Sequence, residues 1–69
     1  MYKYETIIYW SEEDECFIAE VPDLSELMVH GGSQEEALKN AQTAIRFWLK
    51  TAEREGINIP EPKGRRLNV

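Results

Sequence analysis

Phe17-Ile18-Ala19-Glu20-Val21-Pro22-Asp23-Leu24, followed by Gly31-Gly32-Ser33-Gln34-Glu35-Glu36-Ala37-Leu38, decides the fold of this chain. The first part is an extended run ended by Pro22, which has no N–H to donate to a ladder. The second part opens with two glycines, which permit a sharp turn with positive φ. It then enters a helix through a capping box: Ser33 caps the free amides and Glu36 reaches back. Glu35 and Glu36 also sit at the positive end of the helix dipole. Leu27-Met28-Val29-His30 lies between the two parts as a short third extended run.

Upstream, residues 2–10 are rich in β-formers: Tyr2, Tyr4, Thr6, Ile7, Ile8, Tyr9 and Trp10. Alternation sends Tyr2, Tyr4, Thr6, Ile8 and Trp10 to one face and Lys3, Glu5, Ile7 and Tyr9 to the other. Both faces hold apolar groups, which suggests a strand covered on one side and partly covered on the other. Ser11 to Glu15 is a tight acidic connection, and Cys16 to Val21 is the returning strand of a hairpin. Downstream, Ala37, Leu38, Ala41, Ala44, Ile45, Trp48, Leu49 and Ala52 recur at helical spacing, so a helix is expected over 34–55 with Gly56 as its stop. The alanines allow close approach to a sheet. The expected architecture is α+β: three antiparallel strands near 2–10, 16–21 and 27–30 packed by one long helix (β-β-β-α), with Leu67-Asn68-Val69 able to add a fourth short strand.

Sixty-nine residues form a single domain, 1–69. A core this small rarely supplies more than about 3–5 kcal/mol, and such chains commonly need a staple. Cys16 is the only cysteine, so no internal disulfide is available. Cys16 and His30 have no partners at metal-ligand spacing, so neither metal nor cofactor is expected. Oligomerisation is the staple left over, and a homodimer or higher homo-oligomer is expected. Phe47 falls outside the apolar stripe, near Asn40, Thr43 and Thr51, and is a candidate interface anchor. Trp48 and the alternating Ile57 and Ile59 join it as candidate oligomer-interface residues. The N-terminus has no apolar signal core, and no apolar run approaches the ~18 residues of a membrane span. The expectation is a cytoplasmic protein without membrane contact.

The formal charge of −5 is unevenly spread. Residues 1–36 are nine units negative, whereas residues 37–69 are four units positive. The acidic front would repel phosphate and suit a basic partner, such as a protein that itself binds RNA. Glu12, Glu13 and Asp14 crowd one connection without the glycine or alternation of a calcium loop. They read as a solvated hairpin tip first and as a docking element second. With Asp23 and Glu26 they are the candidate partner-binding residues. His30 has neither a nucleophile nor an orienting carboxylate at a defined spacing and reads as an ordinary structural histidine. No catalytic constellation can be assembled, and a non-enzymatic protein is expected. Arg46, Lys50 and Arg54 repeat along one side of the helix, and Lys63-Gly64-Arg65-Arg66 forms a basic tail. Both read as solvated charge that supports no sequence-specific DNA binding.

Ala19-Glu20-Val21-Pro22-Asp23-Leu24, Gly31, Glu35-Glu36-Ala37-Leu38 with Asn40 and Ala41, and Ile59-Pro60-Glu61-Pro62-Lys63-Gly64-Arg65 resemble the HicB-like antitoxin family over nearly the whole chain. Ser25-Glu26-Leu27 stands where that family usually has Pro-Gly-Cys. The resemblance implies a partial ribonuclease-H-like fold without its catalytic carboxylates. It also implies a role in a type II toxin–antitoxin system: covering and neutralising a small mRNA-cleaving toxin, HicA-like, with no DNA-binding module in this chain. The alternative is an orphan homo-oligomeric structural or adaptor domain with no toxin partner.

Overall fold

A computed structural model of the chain describes residues 3–24 and 27–62. Three strands precede one helix: β1 (Ile7–Ser11), β2 (Cys16–Val21), β3 (Leu27–Gly31) and α1 (Gln34–Glu55). The sheet is antiparallel with strand order β1-β2-β3, and the helix lies across one of its faces. The fold is therefore α+β, a three-stranded sheet packed by one helix.

The first strand is shorter than alternation alone suggests. It begins at Ile7, which pairs with Glu20, and ends with Ser11 opposite Cys16. Continuing the same register upstream would set Glu5 opposite Pro22, which cannot donate a ladder hydrogen bond. Residues 3–6 accordingly leave the sheet. Tyr4 turns onto the core, and its hydroxyl donates to the Pro60 carbonyl at 2.5 Å, tying the two ends of the described chain together. Tyr2 and the proposed strand at Leu67–Val69 lie outside the described residues.

The register explains the core. One set of rows, Ile8–Ala19–Val29 and Val21–Leu27, faces the helix. Ala19, Val21, Leu24, Ala37, Ala41 and Ile45 form the buried cluster, with Trp48 and Leu49 packed against it. Leu24 sits in the turn after Pro22 yet is fully buried. Its N–H donates to the Val21 carbonyl at 3.1 Å, and its carbonyl accepts from Leu27 N–H at 2.8 Å. These two bonds hold Leu24 as an apolar plug under the helix. Leu38, at the margin of the helical stripe, is 39% exposed.

The helix start follows the expected capping logic with one change. Ser33 is extended at φ −143°, and its hydroxyl accepts from Glu36 N–H at 3.0 Å. The Glu36 carboxylate reaches back one residue further than in a standard box, accepting from Gly32 N–H at 2.5 Å. The glycine pair also differs from expectation: neither Gly31 nor Gly32 adopts positive φ. Gly31 is needed for space instead, because a Cβ there would lie 2.6 Å from Ala37 N and 2.9 Å from Ala37 Cα. Gly56 does adopt the left-handed conformation, at φ 70°, and ends the helix. The following Ile57 N–H donates to the Ala52 carbonyl at 2.8 Å.

Candidate interaction surface

The face of the sheet turned away from the helix is the main candidate site. Its rows are Ile7–Glu20–Met28, Tyr9–Ile18–His30 and Ser11–Cys16. Ile7, Tyr9 and Met28 are 40%, 39% and 54% exposed, around a central Ile18 that is only 6% exposed. No described element covers this face. Two shallow depressions run along it. One is lined by Asp14, Cys16, Ile18, Met28 and His30, and the other by Glu20, Pro22, Leu27 and Met28. They meet at Met28, whose flexible thioether suits an adaptable contact.

Polar groups frame this apolar strip. The Tyr9 hydroxyl donates to Glu20 Oε2 at 2.6 Å, which carries the phenol ring across the sheet from β1 toward β2. That hydrogen bond, followed by desolvation and the negative charges of Glu20 and Asp14, holds the Tyr9 phenol above its ordinary pKa of 10.0. The tyrosine is therefore a neutral donor over a wide pH range. At one end of the strip, Ser11 and Asp14 brace the hairpin. Asp14 N–H donates to Ser11 Oγ at 3.2 Å, and Ser11 Oγ donates to Asp14 Oδ2 at 3.1 Å. Glu15 takes the left-handed conformation, φ 51°, that lets the four-residue loop return.

The sequence-derived acidic residues do not form one patch. Glu12, Glu13 and Asp14 are exposed at the β1–β2 hairpin, whereas Asp23 is half-buried in the turn beyond the other end of β2. Six residues of strand separate those ends by roughly 20 Å. Glu26 lies outside the described residues, as do Lys63, Arg65 and Arg66. The helix-side candidates also divide. Phe47 is 70% exposed, and Ile57 and Ile59 are 51% and 43% exposed, whereas Trp48 is half-buried against the core. His30 is exposed on β3, and its backbone carbonyl accepts from Asn40 Nδ2 at 2.9 Å, fastening the strand end to the helix.

The sequence singles out the acids of the hairpin, whereas the apolar centre of this face appears only in the strand register. Ile7, Ile18 and Met28 were legible only as residues of strands apolar on both faces; the register assembles them into one surface. Among the described residues, no group of three His, Cys, Asp or Glu side chains is placed to hold a metal ion. No described helix is long and apolar enough to cross a membrane.

Comparison with known proteins is sparse. No protein-family model matches the chain. No solved structure matches it either. A UPF0150 protein of Thermoplasma acidophilum is 28% identical over 64 residues, spanning 93% of both chains. The likeness therefore runs along nearly the full length of both chains.

Proposed function

We propose that this chain is a non-catalytic, HicB-like antitoxin that binds and neutralises a small, basic, mRNA-cleaving toxin. The observation that carries the reading is the open sheet face: an apolar strip around Ile18 and Met28 with the acidic hairpin Glu12–Asp14 at one end. A basic RNA-binding protein is drawn by the acidic end and held by the apolar centre. The β-β-β-α order agrees with the fold implied by the HicB-like resemblance, and the full-length likeness to a small UPF0150 protein is compatible with it. In this reading the domain acts by occlusion, contributes no catalytic group and is cytoplasmic. DNA recognition is not part of its role.

The test is co-expression with the product of a neighbouring short reading frame that encodes a basic protein. The expected result is co-purification and rescue of growth from toxin arrest. Met28→Lys should abolish both while leaving the fold intact, since Met28 is more than half exposed. The absence of such a neighbour, or a neighbour that neither binds nor arrests growth, would refute the antitoxin reading. The fully displayed Phe47 would then favour the second reading, an adaptor domain that only self-assembles.

A further inference from the structure

We propose that Tyr9 and Glu20 form a subsite for one arginine side chain of the protein that docks on the open sheet face. The proposal deepens the docking reading above and rests on that face being the surface used. Glu20 stands on the central strand β2, between Ile7 of β1 and Met28 of β3, so both of its neighbours in the row are apolar. The hairpin acids Glu12, Glu13 and Asp14 are exposed on a turn, whereas Glu20 is half-buried on a strand paired on both sides. A carboxylate placed in this way is largely fixed before a partner arrives. Its ion pair loses less to side-chain freedom and to salt than one on a solvated tip.

The carboxylate also has capacity to spare. Glu20 Oε2 accepts from the Tyr9 hydroxyl at 2.6 Å, and Oε1 accepts no hydrogen bond among the described residues. An ionised carboxylate offers about four lone-pair sites, so further donors can be taken. The same bond carries the Tyr9 ring from β1 to β2, where it is still 39% exposed. An aromatic surface therefore lies directly beside the carboxylate.

That pairing suits a guanidinium. It is planar, stacks on aromatic faces and holds its donors in a rigid fork that matches a carboxylate, whereas an ammonium is a point charge without that shape. An arginine can lie on the Tyr9 ring with its N–H edge turned to Glu20. Ile7 and Met28, 40% and 54% exposed, give its methylene stem an apolar surface to run along. The depression beside Glu20, lined also by Pro22, Leu27 and Met28, measures about 160 Å³. This is below the roughly 300–1,000 Å³ of a small-molecule site and leaves room for the end of one side chain. A separate basic protein fits better than a second copy, whose net charge of −5 is the same as this chain's.

The probe is N-acetyl-arginine amide, titrated into the full-length, nitrogen-15-labelled protein and followed by amide chemical shifts. N-acetyl-lysine amide carries the same charge and is the control. Saturable shifts at Tyr9, Glu20 and Met28 are expected in the millimolar range, with the lysine probe bound about twofold or more weaker. Glu20→Gln keeps the size of the side chain and an acceptor for the Tyr9 hydroxyl. It should weaken the arginine probe by about threefold or more and leave the urea midpoint unchanged. Met28→Lys, whose ammonium would lie opposite Glu20 in the same row, should displace the probe as well. Equal binding of the two probes would overturn the proposal, since charge alone would then explain it. So would shifts confined to the Glu12–Asp14 hairpin, no saturable shift at all, or wild-type affinity in Glu20→Gln. Self-association that disappears in Glu20→Gln would also overturn it, because a second copy would then supply the arginine. The probe needs no toxin, so the two readings fail separately. Probe binding without a toxin neighbour refutes only the antitoxin reading, and a captured toxin indifferent to Glu20→Gln refutes only the subsite.

Discussion

Replacing Gly31 by alanine should be among the most damaging single-methyl additions in this protein. The new Cβ would lie 2.6 Å from Ala37 N and 2.9 Å from both Ala37 Cα and Glu36 C. All three are helix backbone atoms, so no side chain can rotate away; the first turn of α1 must lift from the sheet. That turn is fixed by the Ser33–Glu36 and Gly32–Glu36 bonds, and Ala37 and Ala41 behind it are fully buried. Overpacking of this kind typically costs about 1–3 kcal/mol, and the rigid target puts this site at the upper end. Against a core worth about 3–5 kcal/mol the loss is most of the margin. Gly32 provides the control. Its nearest neighbour to an added Cβ is the flexible Glu36 carboxylate, at 3.4 Å, and its φ is not left-handed. Gly32→Ala should be neutral or stabilising by up to about 1 kcal/mol through the unfolded chain. Urea melts followed by tryptophan fluorescence, at matched protein concentration, would report both. With m near 1 kcal/mol/M, Gly31→Ala should lower the midpoint by roughly 2–3 M. A shift below about 0.5 M, or a larger loss for Gly32→Ala than for Gly31→Ala, would refute the close-approach account.

Other perturbations separate the core, the hydrogen-bonded strip and the charged tip. Leu24→Ala should destabilise by about 2–5 kcal/mol because the turn holds it fully buried, whereas Leu38→Ala should stay within about 0.5 kcal/mol in the same melt. The Tyr9 phenol is raised in the fold, so its contribution is fully present below the ordinary tyrosine pKa of about 10 and disappears as pH rises through the higher folded value. Phenolate absorbance, with Tyr9→Phe as the blank, should show late ionisation that moves earlier in Glu20→Gln; an unchanged curve would remove Glu20 as the main cause. Reversing Glu12 and Glu13 to lysine should leave the melt unchanged but slow association with a basic partner by about tenfold or more at low salt. Stopped-flow rates that do not change, or do not depend on ionic strength, would discard the hairpin as a steering element.

Much of the fold was legible because local signals and tertiary demands agree. The capping residues Ser33 and Glu36, the helical alanine stripe and Gly56 bracket α1 at Gln34 and Glu55, and each acts within a few residues of itself. The strands β2 and β3 were legible because Pro22 and the glycines punctuate them. The start of β1 was not. Tyr2, Tyr4 and Thr6 have strong strand propensity, but propensity does not reveal that the partner strand ends at Pro22. The role of Gly31 was hidden for a related reason: its requirement comes from Ala37, six residues away, across a packing distance that no spacing rule contains. The open sheet face was hidden most deeply. Ile7, Ile18 and Met28 belong to three different strands and become neighbours only through the pairings Ile7–Glu20–Met28 and Tyr9–Ile18–His30.

The composition of the core gives a physical reason for a protein of this size to present so much apolar surface. Among the described residues, Ala19, Ala37, Ala41 and Ala52 account for half of the buried core, and the only large side chains with less than 2% exposure are Leu24 and Val21. Small residues bring the helix close to the sheet, but each removes little more than a methyl from water, whereas a fully buried Leu, Ile or Val contributes about 1.5–3 kcal/mol. The larger apolar groups lie elsewhere: Ile7, Tyr9, Trp10 and Met28 on the sheet, and Phe47 on the outer side of the helix. Replacing those exposed groups with polar ones would cost the isolated fold little, because they add little to its core. Their stabilising value is realised only where another surface covers them. The partition is spatially ordered: the open face carries an apolar strip with an acidic end, and the outer side of the helix a separate aromatic.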